Sequence, residues 1–132
     1  MAPTSCEALP PMIVLDANYV LRYLLDDNHA MFLEAKEVVE NSPCLVLDGV
    51  MAEVIYVLEG YYAVPRERIA RVMTDLVAQP TLSMHESKTT IAKALTHYVE
   101  TRLDFVDCYL CALGEKYEVK SFDKGVVKCL RK

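Results

Sequence analysis

Apolar residues cluster in four short runs along the chain, and the longer stretches between them repeat apolar residues at helical spacing. Ile69, Val72, Met73 and Leu76, for example, recur three and four residues apart, which is the spacing of one helix face. Strands that alternate with helices of this length need crossover connections, so the pattern predicts an α/β fold with a mostly parallel sheet covered on both faces. The predicted strands are residues 12–15, 44–47, 81–84 and 119–122.

Local signals indicate where the helices begin and which strands lie at the centre of the sheet. Asn28, Ser87 and Asp104 are suitable N-cap residues, and Pro65 suits the first turn of a helix. The runs IVL and CLVL are apolar without alternation and predict central strands, whereas TLSM alternates and predicts an edge strand.

Composition limits the classes of protein to which the chain can belong. Its 132 residues, 53% hydrophobic and 25% charged, suit one globular domain, which we place at 12–132. Residues 1–11 lack the basic start of a secretory signal and are interpreted as a tail. No apolar run is long enough to span a membrane. The net charge of −5 argues against electrostatic coating of nucleic acid, although residues 115–132 are locally basic.

The cysteines predict a reducing compartment. Their number, five, is odd, so we expect free thiols in the cytoplasm rather than a disulfide framework. Cys108 and Cys111 form a CxxC pattern, which we interpret as two side chains packed on one helix face, with a zinc or redox site as the alternative. His29, His85 and His97 share no spacing with the acids and are interpreted as surface or half-buried residues.

Acidic residues occur at positions that packing alone does not favour. Asp16 follows the first apolar run and Asp123 follows the last, so both are expected at the carboxyl ends of strands, where open α/β sheets bind ligands. Glu53 interrupts the apolar segment GVMAEVIYVLEGYY, and burial of an unpaired carboxylate is unfavourable. Either aspartate alone is explained by a turn, but the coincidence with Glu53 favours a shared site.

A fourth acid, Asp107, lies at the start of another apolar helix. Its spacing from Asp104 is explained by a capping pair, yet a first-turn aspartate can cap a helix and bind a ligand at once. If the four acids converge, their repulsion requires a cation, and all-oxygen ligands favour Mg²⁺ or Mn²⁺. Such an ion pairs with phosphate oxygens, so the acids predict hydrolysis of a phosphodiester by a metal-bound water.

Four stretches together resemble the PIN-domain ribonucleases, and specifically the VapC-type toxins of toxin–antitoxin modules. They are IVLDANYVLRYLLDD, VMAEVIYVLEGYY with the following VPRERI, LDFVDCYLCALGEKY, and VKSFDKG. The likeness extends from residue 12 to about residue 128 in order and spacing. It implies a three-layer α/β/α fold, a Mg²⁺- or Mn²⁺-dependent endoribonuclease, a homodimer, and a cognate antitoxin whose tail blocks the acidic cleft.

The resemblance also implies roles for individual residues. Asp16, Glu53 and Asp107 match the three central acids of the family, and Asp123 matches a fourth, more variable acid. Three further residues match supporting positions of the family. Asn18 matches the polar companion of the first acid, and Ser121 stands where the family often has Thr. Asp104 is interpreted as a helix cap first and a ligand second.

Several basic and aromatic residues have two possible interpretations. Arg22, Lys120, Lys124 and Lys128 are candidates for contacts with RNA, and each is also explained as a solvated surface residue. Because they lack an accompanying basic stripe, four tyrosines are interpreted as core or dimer contacts rather than a base-stacking platform. They are Tyr56, Tyr61, Tyr62 and Tyr98.

The alternative function is a metal-binding PIN-like module that regulates or interacts but performs no reaction. Receiver domains and haloacid-dehalogenase-like phosphatases also place aspartates at strand ends. Both fit less well, because Asp16 is followed by Ala17 and because Asn18 stands where such a phosphatase needs a second aspartate.

Overall fold

Three short parallel strands form the sheet in the computed structural model, which describes residues 12–131 of the chain. The strands are β1 (Ile13–Leu15), β2 (Cys44–Val46) and β3 (Leu82–Met84), in the order β1-β2-β3. Leu15 pairs with Val46, and Val46 pairs with Met84, so all three strands end at the same edge of the sheet. The predicted α/β class with a parallel sheet is confirmed, and TLSM does form an edge strand.

Seven helices occur within residues 12–131, and none of them is long and apolar enough to cross a membrane. At the predicted N-caps, the side chains of Asn28, Ser87 and Asp104 each accept a hydrogen bond from the backbone N–H three residues later. The helices are α1 (Ala17–Leu24), α2 (His29–Asn41), α3 (Asp48–Gly60), α4 (Arg66–Val77), α5 (Lys88–Glu100), α6 (Phe105–Leu113) and α7 (Lys124–Leu130).

The core forms where the helices cover the central strand. Cys44 and Val46 of β2 are completely buried, and the apolar face of α4 that contains Ile69 and Met73 is buried as well. Each large apolar side chain removed from water in this way stabilises the fold by roughly 1.5–3 kcal/mol. Tyr98 also belongs to this core, in agreement with its interpretation from the sequence.

The predicted fourth strand at 119–122 is not formed. These residues have no regular secondary structure, and Phe122 is fully exposed. The run contains Lys120 and Ser121, so it has little apolar surface to bury, and the Ser121 hydroxyl occupies the backbone N–H of Asp123. As a result β1 is an edge strand and not the predicted central strand, and Val14 is 59% exposed.

A disulfide bond joins Cys111 on α6 to Cys129 on α7, so the expectation of free thiols throughout is wrong. The two residues are 18 positions apart, and only the return of α7 onto α6 brings them together, which spacing along the chain does not reveal. Cys44 and Cys108 are free and buried, which confirms the packing interpretation for Cys108. Cys6 and the predicted tail lie outside the described residues.

Candidate active site

Asp16 lies at the carboxyl end of β1, where the sequence predicted it. It is the N-cap of α1, and its Oδ1 accepts a hydrogen bond from the backbone N–H of Tyr19 at 2.8 Å. The residue is nevertheless exposed, as is Asn18 in the first turn of the same helix. Asp16 therefore combines a structural capping role with a carboxylate that solvent can reach.

Glu53 lies on an exposed face of α3 and not in the buried surface that the apolar sequence suggested. Its carboxylate forms no hydrogen bond or ion pair with any residue in the part of the chain that the structure describes. Tyr56, one turn later on the same face, is 44% exposed, whereas Val54 and Ile55 are completely buried. The unfavourable burial that made Glu53 conspicuous in the sequence does not occur, so its charge needs no partner within the chain.

The start of α6 holds two acids close together. Asp104 caps the helix, and its Oδ1 accepts the backbone N–H of Asp107 at 2.9 Å. Asp107 is half-buried, and burial raises the pKa of its carboxyl, with further increases from the negative charges of Asp104 and Asp123. Asp107 is thus held in an environment that opposes its ionisation.

Asp123 reaches this pair because α7 packs closely on the loop before α6. A Cβ atom at Gly125 would lie 2.5 Å from Cδ2 of Leu103 and 3.2 Å from Oδ1 of Asp123, so only glycine permits this approach without rearrangement. Asp123 caps α7 by accepting the backbone N–H of Val126 at 3.0 Å. Its own backbone N–H donates to Oγ of Ser121, also at 3.0 Å.

Tyr56 connects the face of α3 that contains Glu53 to these acids. Its phenol is partly desolvated, which raises its pKa, and the charges of Asp104 and Asp107 raise it further. The exposure of Tyr56 contradicts its interpretation as a core residue, and the alternative, a dimer contact, stays a prediction. The spacing of three residues between Tyr56 and Glu53 was the available signal for this location, because residues i and i+3 share a helix face.

Arg66 is a positioning residue that sequence reasoning missed entirely. Its Nε and Nη2 donate to the carbonyl oxygen of Tyr98 at 2.9 and 2.7 Å, and Nη2 also contacts the carbonyl oxygen of Leu103. The guanidinium carbon lies 3.7 Å from the centroid of the Tyr98 ring, and Nη1 is 3.5 Å from Glu59. Arg66 therefore fixes the backbone that leads directly into Asp104.

A model of the PIN domain family matches residues 13–128, which is most of the chain. The chain is a PIN domain. Comparison with curated proteins and with solved structures gave no match. PIN domains are generally nucleases and typically use divalent metal ions, so a nucleic-acid substrate follows from the family.

The structure shows interactions among some of the predicted acids of this PIN domain. Asp104, Asp107 and Asp123 interact, and Tyr56 links them to the face of Glu53, but the charge of Asp16 is not among the causes of the raised pKa of Asp107. Among residues 12–131, no three carboxylates have oxygen atoms that all lie within 4.8 Å of one another. A single ligand set of Asp16, Glu53, Asp107 and Asp123 therefore stays a prediction.

The donor atoms nevertheless suit the divalent ion that PIN domains use. Every candidate ligand is a carboxylate oxygen, and Asp107 is destabilised as an anion by two neighbouring negative charges that a cation would offset. Hard cations such as Mg²⁺ keep several water ligands, so a few carboxylates suffice. Asp16, Glu53, Asp107 and Asp123 are the residues that would hold such an ion.

The structure separates the predicted RNA contacts into two groups. Arg22 is engaged within the fold, because its Nη1 lies 2.7 Å from Asp27, and Lys120 lies 2.9 Å from Glu118. Lys124 and Lys128 are exposed on α7 and form no ion pair with another residue between 12 and 131. The contacts with RNA stay predictions.

Two further acids lie at the same edge of the sheet and were not considered from the sequence. Asp48 is the first residue of α3, two residues after the end of β2. Glu86 follows β3, and its carboxylate accepts hydrogen bonds from Lys116 at 2.9 Å and from the Tyr117 hydroxyl at 3.1 Å. Hydrogen bonding from Lys116 lowers the pKa of Glu86, so this acid is compensated within the fold.

Proposed function

We propose that this PIN domain is an endoribonuclease that hydrolyses RNA phosphodiester bonds with Mg²⁺ or Mn²⁺ as its cofactor, and that it acts as the VapC-type toxin of a toxin–antitoxin pair. The observation that carries the proposal is the uncompensated negative charge around Asp107. Asp16, Glu53, Asp107 and Asp123 are the proposed catalytic and metal-holding acids. Asn18, Ser121 and Asp104 support them.

The side chains of this chain have separable tasks in the proposed reaction. Asp104 and Asp123 use one oxygen each to cap a helix, which fixes the carboxylate beside Asp107. The Ser121 oxygen accepts the Asp123 N–H, which leaves the hydroxyl proton of Ser121 available to a neighbouring carboxylate. When bound, the divalent ion supplies the Lewis acidity that polarises a phosphate and a water.

The capping geometry allows a test that separates charge from structure. Asn is as good an N-cap as Asp, so Asp16→Asn keeps the hydrogen bond to Tyr19 and removes only the negative charge. We expect purified protein to cleave single-stranded RNA with Mg²⁺ or Mn²⁺ and Asp16→Asn to lose this activity without unfolding. Gel analysis of a labelled RNA, with thermal unfolding of both proteins, provides the measurement. Equal cleavage by the variant would rule out the proposal.

A catalytically inert metal-binding module is the second candidate function. It is favoured by the spacing of the acids, because one or two carboxylates suffice to bind a hard cation, whereas no three described carboxylates have oxygen atoms that all lie within 4.8 Å of one another. Calorimetric titration with Mn²⁺ and cleavage assays on varied RNAs distinguish the two candidates. Metal binding that Asp107→Asn abolishes, without cleavage of any RNA, would support the inert module.

The proposed toxin role adds a cognate antitoxin and a homodimer. Light scattering of the purified chain measures the oligomeric state, and induction in bacterial cells measures growth arrest. We expect arrest with the wild-type chain and none with Asp16→Asn at equal expression. A short neighbouring gene whose product binds the chain and restores growth would identify the antitoxin.

A further inference from the structure

The most exposed apolar side chain among the described residues is that of Phe122. It is fully exposed, directly before the α7 cap Asp123, in the segment that forms no strand. An open groove of about 490 Å³ begins at Phe122 and continues along α7. An aromatic ring kept entirely in water is unfavourable for the isolated chain, so its surroundings indicate what kind of molecule could cover it.

The rest of this groove is basic. It is lined by Lys124, Val127, Lys128 and Arg131, which lie at i, i+3, i+4 and i+7 and therefore share one face of α7 and its end. The three cations are exposed, and none forms an ion pair with another residue in 12–131. No acidic side chain lines the groove. The surface thus combines one aromatic ring with three positive charges.

Most lysines elsewhere on this acidic protein are compensated. Lys36 pairs with Glu40 at 2.9 Å, Lys116 pairs with Glu86 at 2.9 Å, and Lys93 contacts Glu115. A lysine with an acid partner contributes little attraction to a distant anion. Three exposed arginines, Arg68, Arg71 and Arg102, also form no ion pair within residues 12–131, but the α7 groove gathers three such cations despite the net charge of −5.

We propose that the groove formed by Phe122, Lys124, Val127, Lys128 and Arg131 binds single-stranded RNA, with an unpaired base stacked on Phe122 and the flanking phosphates held by the three cations. A nucleic acid with unpaired bases satisfies both halves of the surface, since bases stack on aromatic rings while phosphates require positive charge. A duplex satisfies only the second half, because its bases are already stacked and paired. This inference rests on the proposed function for the choice of RNA.

The location of the groove relates it to the candidate active site. Asp123, one of the proposed metal-holding acids, stands between Phe122 and Lys124 in the chain and caps the helix that lines the groove. A strand whose base stacks on Phe122 therefore has its backbone beside the proposed metal-holding acids. Phe122 is a substrate-positioning residue in this arrangement, not a catalytic one.

The test measures RNA binding without cleavage. Fluorescence anisotropy with a labelled 12-nucleotide RNA of mixed sequence, in EDTA and low salt, gives the dissociation constant for the whole chain. We expect Phe122→Ala and Phe122→Leu to weaken binding about 5- to 50-fold, and Phe122→Trp to retain it, because Trp stacks and Leu does not. Lys128→Gln and Arg131→Gln should each reduce the salt dependence of binding.

Matched controls identify the contribution of the ring. Tyr61 is an aromatic residue that is 81% exposed and lies outside the groove, so Tyr61→Ala should bind like the wild type. A blunt duplex of the same sequence should bind equally to wild type and Phe122→Ala. The proposal would be overturned if Phe122→Ala bound single strands with wild-type affinity. It would also be overturned if light scattering showed that Phe122→Ala loses dimerisation while its RNA affinity is unchanged.

The same measurements keep this inference distinct from the proposed function. A wild-type chain that binds RNA through Phe122 in EDTA but never cleaves it supports the groove and contradicts the nuclease. A wild-type chain that cleaves RNA, together with a Phe122→Ala variant that binds and cleaves equally well, contradicts the groove and leaves the nuclease intact.

Discussion

Glu86 and Asp107 lie in two acidic regions of the same domain and experience opposite environments. The side chain of Glu86 is only 11% exposed, but Lys116 and Tyr117 donate hydrogen bonds to it, and the pKa of its carboxyl is lowered. The pKa of Asp107 is raised by burial and by two further aspartates. An acid with its own cation stabilises the fold, whereas an acid whose ionisation is opposed by burial and by neighbouring acids is a candidate for a functional site.

The largest expected effect comes from removing one charge in each region. Asp107→Asn should lower the rate of RNA cleavage by roughly 100-fold or more, because removal of one electrostatic group at an active site has effects of that order. Glu86→Gln removes the negative charge that pairs with Lys116 and should leave the cleavage rate per folded molecule unchanged. Initial rates at saturating Mg²⁺ measure both, and similar losses in the two variants would abolish the distinction.

The disulfide provides the next test, because it holds α7, which Asp123 caps, against α6, which contains Asp107. Closing a loop of this size lowers the entropy of the unfolded chain, so Cys111→Ser should reduce the free energy of unfolding by about 3 kcal/mol. Urea unfolding measures the loss. Cys44→Ser, at a buried free cysteine, is the control for the chemical change alone. A Cys111→Ser variant with wild-type stability would show that α7 is held by packing.

Arg66 tests the support beneath Asp104. Arg66→Ala leaves the carbonyl oxygen of Tyr98 without the Arg66 donor and that of Leu103 with only the weak thiol donor of Cys108, and an unsatisfied group costs about 1–3 kcal/mol. Arg66→Lys keeps the positive charge but lacks the planar guanidinium group with its several N–H donors, so it should recover only part of the stability. If the hydrogen bonds from Arg66 position Asp104, the cleavage activity per folded molecule should also fall in Arg66→Ala. Wild-type activity per folded molecule would limit Arg66 to a role in stability.

Much of the fold was predictable because its determinants are local. The caps at Asn28, Ser87 and Asp104 follow from side chains that bond to the backbone three residues later, and the strands β1, β2 and β3 follow from short apolar runs. The run at 119–122 failed because strand formation needs a partner and a buried face, and neither is encoded within four residues. For the same reason the open edge of β1 was not foreseen.

The candidate site was less predictable, because its main properties are long-range. The spacing of Asp104 and Asp107 is visible in the sequence, but the approach of Asp123 depends on Gly125 fitting against Leu103. The hydrogen bonds from Arg66 join α4 to a backbone segment more than 30 residues later. Glu53 drew attention for a burial that does not occur, so its predicted role rests on the family likeness and not on packing.

The smallest expected effect is a difference in how stability depends on pH. The folded-state pKa of Asp107 is raised, so the folded chain binds its proton more tightly than the unfolded chain, and ionisation of Asp107 destabilises the fold. Asp107→Asn should therefore be more stable than the wild type at pH 7, by up to about 1 kcal/mol after allowance for solvent screening. This advantage should shrink as the pH falls through the raised pKa of Asp107 towards the ordinary aspartate value of about 3.9.

Glu86→Gln reverses the sign. Because the folded-state pKa of Glu86 is lowered, its ionised form stabilises the fold above the ordinary glutamate pKa, and this contribution disappears as the pH falls through the lowered value. Glu86→Gln should thus be less stable than the wild type at pH 7 and equal to it in acid. Urea unfolding of the three proteins between pH 7 and about pH 3 measures both trends, because the Glu86 contribution disappears below the ordinary glutamate pKa. Parallel curves for the two variants would show that the two acids do not experience opposite environments.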